Sequence, residues 1–283
     1  MTIPKWLLNL WGQSFHLQAI TKTMEVHHHP HVEKKGFKEY FLEGLMIFLA
    51  VSMGFIAENI REKFIENDRA HELAESLYQE VYSDSIQLQK ILAIRDKKEE
   101  AINYIIGYFK DSSLTNPSHL FYRNFTWEFV IHAATIFEPA DGMLNQLRNS
   151  GSLRYFKNNE LQKECGQLSV VITKIRNRLE YESQYFLQYI RPYALTYYDF
   201  DWYNQISKKG TISITESIIK EPDPKDLPVL KNASGFNKTE CMNLLNYHLI
   251  ILRSTKQGYL NTYLKINHSL LETLRKEYNL KSE

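Results

Sequence analysis

An apolar run near the amino terminus, Tyr40 to Ala57, constrains the fold of this chain more than any other feature. A helix needs about 20 mostly apolar residues, at about 1.5 Å each, to cross a bilayer. The uninterrupted part, Gly44 to Ala57, has only about 14 residues, a length that also suits a buried core helix or a signal peptide. Tyr40, Phe41 and Leu42 extend the run on the side before Glu43, and Ile60 extends it on the other side. We therefore expect a transmembrane helix over residues 40–60.

The residues that border the run support this prediction. Glu43 and Glu58 fall near its two ends, where side chains reach lipid headgroups and water, and Tyr40 supplies an interfacial aromatic ring. A cleaved signal peptide is the alternative. It would need a pair of small residues just after the run, whereas Ala50 and Ser52 lie inside it, so we expect the segment to be retained.

One face of the predicted transmembrane helix suits contact with another helix. Glu43, Ala50, Gly54 and Ala57 share this face at helical spacing. Ala50 and Gly54 form a pair of small residues four apart, which lets two helix backbones approach closely in lipid. We predict an oligomer interface there, and the alternative is a helix that faces only lipid.

The composition predicts an all-α protein with one amino-terminal transmembrane helix followed by a long-helix bundle domain. Glycine and proline are few, 11 and 8 among 283 residues, and helix-forming residues are plentiful. The expected organisation is a leader over residues 1–39, the membrane helix over 40–60 and a helical bundle over 61–283. The net charge of +1 gives no electrostatic argument for nucleic acid as a partner.

The leader carries a cluster of four histidines before and after Pro30: His27, His28, His29 and His31. Neutral imidazole binds zinc, nickel or copper, so these residues are candidate metal ligands. A proline-containing tail does not hold its ligands in a fixed geometry, and incidental metal affinity is the favoured interpretation. We therefore expect no cofactor. Met24 is an alternative start of translation.

Cys165 and Cys241 are far apart in sequence. They can form a disulfide in an oxidising compartment, or they can be two buried thiols. No Cys/His spacing typical of a zinc site is present.

After the membrane segment, apolar residues recur three and four positions apart, which indicates one face of a long helix. The residues of this stripe are Leu73, Leu77, Val81, Leu88, Ile91, Ile102, Ile105 and Phe109. Asp84, Arg95 and Lys98 fall at positions of the same stripe. Polar residues there argue against a long coiled coil and for packing in a bundle, and they allow a bend near residues 95–100.

Further helices are predicted from caps and breakers. The second spans about His119–Ile136, with Glu128 and His132 as a structural pair on one face. A short helix ends before Gly151, which suits a left-handed conformation. Asn158 or Asn159 then caps a helix to about Ile190, where Pro192 stops or kinks it. Thr211–Ile219 alternates weakly and suggests an extended segment. The last helix begins after Asn237, with Glu240 at its third position, and reaches about Glu277.

The block Ser-Gly-x-Leu-x-x-Phe-x-Asn-x-x-Leu is the most distinctive local pattern, and its defined residues are Ser150, Gly151, Leu153, Phe156, Asn158 and Leu161. Together with the membrane segment and its leading glutamate, this block resembles a family of uncharacterised bacterial single-pass membrane proteins. The resemblance covers about residues 40–275. It implies an all-helical domain behind an amino-terminal membrane helix, and it implies no activity. The histidine-rich leader departs from the commonest pattern, which suggests a distinct subfamily.

Aromatic residues crowd the region after Pro192: Tyr193, Tyr197, Tyr198, Trp202 and Tyr203. With Asp199 and Asp201 between them, they could line a ligand cleft. Packing at a helix junction is the favoured interpretation.

These observations predict a non-enzymatic, membrane-anchored interaction or scaffold protein of the bacterial envelope. The sequence has no nucleophile elbow, phosphate-binding loop or metal-ligand helix. Expected partners are the lipid bilayer, further copies of the chain and other membrane proteins. Lys34, Lys35 and Lys38, with Lys5 and Lys22 further out, slightly outweigh Arg61, Lys63 and Arg69 after the span. The positive-inside rule therefore predicts a cytoplasmic amino terminus, and we expect an inner-membrane protein with a periplasmic helical domain. The alternative is an envelope ligand or stress sensor with an aromatic-lined cleft.

Overall fold

The computed structural model describes residues 36–209 and 230–280, without the side chains of residues 205–209. Every regular element in these two ranges is helical, and they contain no strand. The chain divides into two compact units, residues 1–58 and 59–283. The predicted extended segment Thr211–Ile219 and the four leader histidines lie outside the described residues.

Helix α1, Phe37–Asp111, begins in the first unit and ends in the second. In the first unit its large apolar side chains are exposed; Met46, Phe48 and Phe55 are 66, 66 and 69% accessible. Among the described helices, α1 is the one that is long and apolar enough to cross a membrane by length and composition. The predicted membrane helix therefore lies within a much longer helix.

In the second unit, α1 buries most of the predicted apolar stripe, while Leu73 and Ile91 are partly buried. Leu77, Val81, Leu88, Ile102 and Ile105 are almost inaccessible to solvent, as 3.6-residue periodicity requires of one face of a helix. The helix passes through residues 95–100 without interruption.

The remaining α-helices of the described residues follow in chain order. They are α2 (His119–Phe125), α3 (Gly142–Asn149), α4 (Asn159–Tyr185), α5 (Arg191–Tyr197), α6 (Phe200–Lys209), α7 (Lys238–Thr255) and α8 (Asn261–Tyr278). Three π-helical segments extend α2, α4 and α7, namely Thr126–Val130, Phe186–Ile190 and Lys256–Leu260. The last two join α4 to α5 and α7 to α8 without a loop.

Side-chain caps begin several of these helices. The Asn158 side-chain oxygen accepts from the backbone N–H groups of Glu160 and Leu161 at 2.9 and 3.3 Å. Asn237 accepts from Glu240 at 3.1 Å, and Ser118 caps α2. Each cap satisfies a backbone donor that has no partner within its helix. Both predicted asparagine caps are confirmed.

Gly151 ends the short helix α3 as the sequence predicts. Its φ of 71° is left-handed, a conformation that costs glycine little because it has no Cβ. The chain then turns through Ser152–Tyr155 into the Asn158 cap of α4.

Two boundaries differ from the prediction. The helix that starts at His119 ends at Val130 rather than Ile136, and a separate 3₁₀ turn follows at Ala133–Thr135. Pro192 does not stop the helical path, which continues as α5 to Tyr197 with the proline in its first turn. The π segment that precedes α5 has wider winding than an α-helix, with the Arg191 N–H donating to the Phe186 carbonyl five residues before it.

Apolar side chains of the second unit form two clusters. One cluster joins residues 70–88 of α1 to α3, most of α4 and α8. The other cluster joins residues 102–109 of α1 to α2, α5 and α7. Helix α4 runs antiparallel to α7 and α8, since Glu164 contacts Ser269 at one end and Tyr181 contacts Tyr247 at the other.

Candidate functional site: a buried ionic layer

A fully buried ion pair joins α1 to α4. Arg95 Nη1 and Nη2 donate to Glu182 Oε1 and Oε2 at 2.9 and 2.8 Å, and the two side chains are 0 and 1% exposed. Arg95 also donates to the backbone carbonyls of Thr135 at 3.0 Å and Leu252 at 3.3 Å. The planar guanidinium suits this arrangement because its donors form a rigid fork that matches a carboxylate.

The charge of Arg95 decides the state of Glu182. Burial by itself raises the pKa of a carboxyl group, but the charge and hydrogen bonds of Arg95 outweigh burial and lower the pKa of Glu182 below its ordinary value. Glu182 is therefore ionised at neutral pH.

Lys98 lies one turn after Arg95. It caps the carboxyl end of the helical stretch formed by α2 and the π segment Thr126–Val130. Its Nζ donates to the carbonyls of Trp127, Glu128 and Ile131 at 3.2, 3.0 and 2.6 Å. These carbonyls lie at or just beyond the carboxyl end of the helix, where backbone acceptors lack partners and the helix dipole is negative. The ammonium group supplies three donors, and it satisfies these backbone acceptors where the chain leaves the helix after Val130.

Glu128 links Lys98 to α7. Its Oε2 lies 3.5 Å from Lys98 Nζ, and its Oε1 lies 2.5 Å from His248 Nδ1; all three side chains are fully buried. Burial lowers the pKa of Lys98, and the charges of Glu128 and Glu182 act in the opposite direction.

His132 belongs to the same layer. Its ring stacks on Phe186, with centroids 4.2 Å apart and planes 5° from parallel, and its Nε2 lies 3.1 Å from Ser183 Oγ. Burial, together with the positive charge of Lys98, lowers its pKa from 6.5 to about 3. His132 is therefore neutral at physiological pH, and it becomes charged in the folded chain only in strong acid.

These six side chains lie where the two apolar clusters meet. On α1, Arg95 and Lys98 separate Leu88 from Ile102, and on α4, Glu182 separates Leu179 from Phe186. Each π-helical segment is near the layer, and such segments shift the register of the residues that follow. We name Arg95, Lys98, Glu128, His132, Glu182 and His248 the ionic layer.

The geometry of the ionic layer suits structural and titrating roles. Its members are at most 8% exposed, and their polar partners include one another, the hydroxyls of Ser183 and Thr255, and backbone carbonyls. Two cations face two carboxylates, so the charges balance when both histidines are neutral. Buried charges of this kind are costly to separate, and they fix which helices pack together.

Asp84 is a buried carboxylate outside the ionic layer, and its hydrogen-bond partners are neutral. Asp84 Oδ2 accepts from the backbone N–H of Ala140 at 2.9 Å and from the hydroxyl of Tyr263 at 2.5 Å. Burial raises the pKa of Asp84, and these two hydrogen bonds offset part of that rise. All three polar residues predicted within the α1 stripe are thus buried with partners.

The predicted pairing of Glu128 with His132 is wrong. The helix ends between them at Val130, so the two residues do not lie one turn apart on a common face. Glu128 binds Lys98 and His248, and His132 contacts Ser183. The sequence signal that pointed to the layer was the presence of Arg95 and Lys98 in an apolar stripe. Nothing local in the sequence identified their partners.

The predicted oligomer face lies on the exposed part of α1. Glu43, Ala50, Gly54 and Ala57 are all accessible, and a Cβ added at Gly54 would meet no atom within 4 Å. This face remains a prediction. The histidine cluster is outside the described residues, among which no group of three or more His, Cys, Asp or Glu side chains could hold a metal ion.

The aromatic residues after Pro192 pack against other rings. Tyr198 stacks parallel to Phe125 at 6.1 Å and hydrogen-bonds Thr126 at 2.7 Å, while Tyr197 contacts Phe236 at 4.7 Å. These contacts match the favoured interpretation of a helix junction.

The two cysteines are free and buried. Cys165 belongs to one apolar cluster and Cys241 to the other. Burial raises the pKa of the Cys165 thiol to about 12 and also raises that of Cys241, so both are poor nucleophiles.

Comparisons with protein-family models, with curated proteins and with solved structures give no match for this chain. The sequence and the packing of the described residues therefore carry the functional argument.

Proposed function

We propose that this chain is a membrane-anchored, non-enzymatic interaction or scaffold protein of the bacterial envelope, with a helical bundle behind one transmembrane helix. The observation that carries the proposal is the first part of α1, where apolar side chains such as Phe48 and Phe55 are more than half exposed. Exposed apolar surface on this scale is unfavourable in water and favourable in a bilayer.

The resemblance to uncharacterised single-pass proteins fits this proposal. Its motif residues have structural partners here: Phe156 and Leu161 are fully buried, Asn158 caps α4 and Gly151 adopts a left-handed turn. A motif of this kind maintains a fold, and it supplies no reactive group. The alternative, a ligand sensor, has less support because the aromatic residues expected to line its cleft pack against one another.

Membrane extraction tests the anchor. The full chain should stay with membranes through an alkaline carbonate wash, whereas residues 69–283 should be soluble and give a helical circular dichroism spectrum. The physical reason is that only the truncated chain lacks the exposed apolar part of α1. Release of the full chain by the wash, or a strand-dominated spectrum of the truncated chain, would contradict the proposal.

The predicted orientation places the helical domain in the periplasm. A carboxy-terminal alkaline phosphatase fusion to the full chain should be active, because this enzyme requires an oxidising compartment for its disulfides. The matched fusion to a reporter that functions only in the cytoplasm should be inactive. The reverse pattern would place the domain in the cytoplasm.

Self-association is expected through the face that contains Glu43 and Gly54. Gly54→Ile should block close backbone approach, and Glu43→Leu should remove a polar group whose interhelical hydrogen bond is typically worth about 0.6–2 kcal/mol in membranes. Each change should lower the crosslinked oligomer fraction in native membranes. Phe48→Leu, on another face, is the control. Equal crosslinking of all three variants would show that the helix is only an anchor.

A further inference from the structure

An open groove lies between two antiparallel stretches of helix. One stretch is α4, and the other is the π segment Lys256–Leu260 with α8. The groove encloses about 1380 Å³, above the range of roughly 300–1,000 Å³ typical of small-molecule pockets. Its α4 side runs from Lys163 to Tyr181, which corresponds to about 27 Å at 1.5 Å per residue. A site of this length suits a protein segment better than a small ligand.

Part of the groove lining is apolar and includes exposed side chains. Val170 is 56% exposed and Tyr181 is 43% exposed, and Val171, Tyr259 and Ile266 lie beside them. Solvent-exposed apolar side chains in a concave surface mark a contact site.

All charged side chains that line the groove are positive. Lys163 and Lys174 line it from α4, Lys265 lines it from α8, and the lining has no aspartate or glutamate. Arg178 adds a fourth cation; its donors bind Thr255 Oγ1 at 2.9 Å and the Ile251 carbonyl at 3.2 Å, both of which are uncharged. This charge is therefore not neutralised by carboxylates within the groove.

Two glycines leave space for a backbone. Gly166 on α4 and Gly258 in the π segment both line the groove, and a Cβ added at either would meet no atom within 4 Å. Small residues on two neighbouring helices allow a third helix to pack closely in the channel between them.

We propose that this groove binds an acidic amphipathic helix of a partner protein. The apolar face of that helix would cover Val170 and Ile266, and its flanking glutamates or aspartates would pair with the lysines on both sides. Nucleic acid shares the negative charge of such a helix but does not match the apolar part of the lining. An anionic lipid has acyl chains that match it, and the identity of the crosslinked adduct in the experiment below separates a lipid from a protein helix. The inference rests on the proposed role as an interaction protein, and it names the chemistry of the partner.

A photo-crosslinking amino acid at Val170, in the full chain and in native membranes, tests this inference. We expect an adduct whose crosslinked peptide, mapped by mass spectrometry, has apolar residues at helical spacing flanked by acidic ones. The same crosslinker at Ile86, an exposed position on α1, should not give that adduct.

Two matched pairs of variants connect the adduct to the groove. Gly166→Trp should fill the channel and reduce the adduct at least tenfold. Gly107→Trp, at another accessible helical glycine with open space, should leave it unchanged. Reversing charge with Lys174→Glu and Lys265→Glu should reduce the adduct similarly, and acidic-to-lysine changes in the mapped partner peptide should restore it. Lys90→Glu, on α1, should have no effect.

The overturning results are distinct from failure of the proposed function. This inference is wrong if the chain remains in carbonate-washed membranes but Val170 gives no adduct. It is also wrong if the adduct forms with lipid, with a second copy of the chain or with a segment that lacks acidic residues. Equal loss of the adduct in Gly166→Trp and Gly107→Trp would also overturn it. Release of the full chain from washed membranes would instead contradict the anchor.

Discussion

Replacing Arg95 with methionine is expected to lower the free energy of unfolding of the helical domain by about 3–5 kcal/mol, the usual cost of removing one partner of a buried ion pair. The change leaves the carboxylate of Glu182 buried without its cation, and it removes donors to the carbonyls of Thr135 and Leu252. Urea unfolding of residues 69–283, followed by circular dichroism, measures the effect.

The matched control is an arginine whose own side chain is half exposed. Arg253 Nε lies 3.1 Å from Glu99 Oε2; the Arg253 side chain is 49% exposed and that of Glu99 is 12% exposed. Arg253→Met should cost less than about 1 kcal/mol, because solvent screens the guanidinium and Glu99 keeps Lys256 as a partner at 2.6 Å. The double variant Arg95→Met, Glu182→Leu should be more stable than Arg95→Met alone, since it leaves no buried charge unpaired. Similar losses for Arg95→Met and Arg253→Met would contradict the structural role of the ionic layer.

Acidification from pH 7 to pH 5 is expected to destabilise the domain in a way that depends on His132. Its pKa is lowered from 6.5 to about 3 in the folded chain, so the unfolded chain binds the proton more readily. The stabilisation from neutral His132 is complete above pH 6.5 and is lost as pH falls from 6.5 towards 3. At pH 5 the loss is about 2 kcal/mol, at 1.36 kcal/mol per pH unit.

His132→Phe isolates this contribution because phenylalanine can retain the stacking on Phe186 but cannot be protonated. Between pH 7 and pH 5, the variant should lose about 2 kcal/mol less than the unchanged chain. His268→Gln is the control, since His268 is largely exposed. Comparing the change with pH removes the constant cost of losing the contact with Ser183. The same pH dependence in His132→Phe and in the unchanged chain would exclude His132 as the titrating group.

The features predicted correctly depend on neighbours in sequence. The stripe of α1 follows from apolar residues three and four positions apart, and the caps at Asn158 and Asn237 act on donors two or three residues ahead. The left-handed turn at Gly151 depends on that residue's own conformational freedom. Local rules suffice for these features because the interacting groups are separated by at most about one turn of helix.

The incorrect predictions depend on residues far along the chain. The helix after His119 was expected to reach Ile136, but Lys98 supplies donors to carbonyls 29–33 positions away and helps to end it at Val130. Glu128 was expected to pair with His132, but its partner His248 is 120 positions away. A buried cation and a distant histidine offer stronger contacts than the local i,i+4 pair, which is typically worth about 0.2–0.5 kcal/mol.

The sequence by itself determined that this chain is helical and that one helix is apolar enough to cross a membrane, because periodicity and composition are properties of short segments. Only the tertiary structure decided that Arg95 and Lys98 are satisfied by Glu182 and Glu128, and that lysines on α4 and α8 line one groove. Those arrangements require helices distant in sequence to pack side by side. The pairing of buried charges is determined by that packing, since a charge removed from water must find its partner on whichever helix lies beside it.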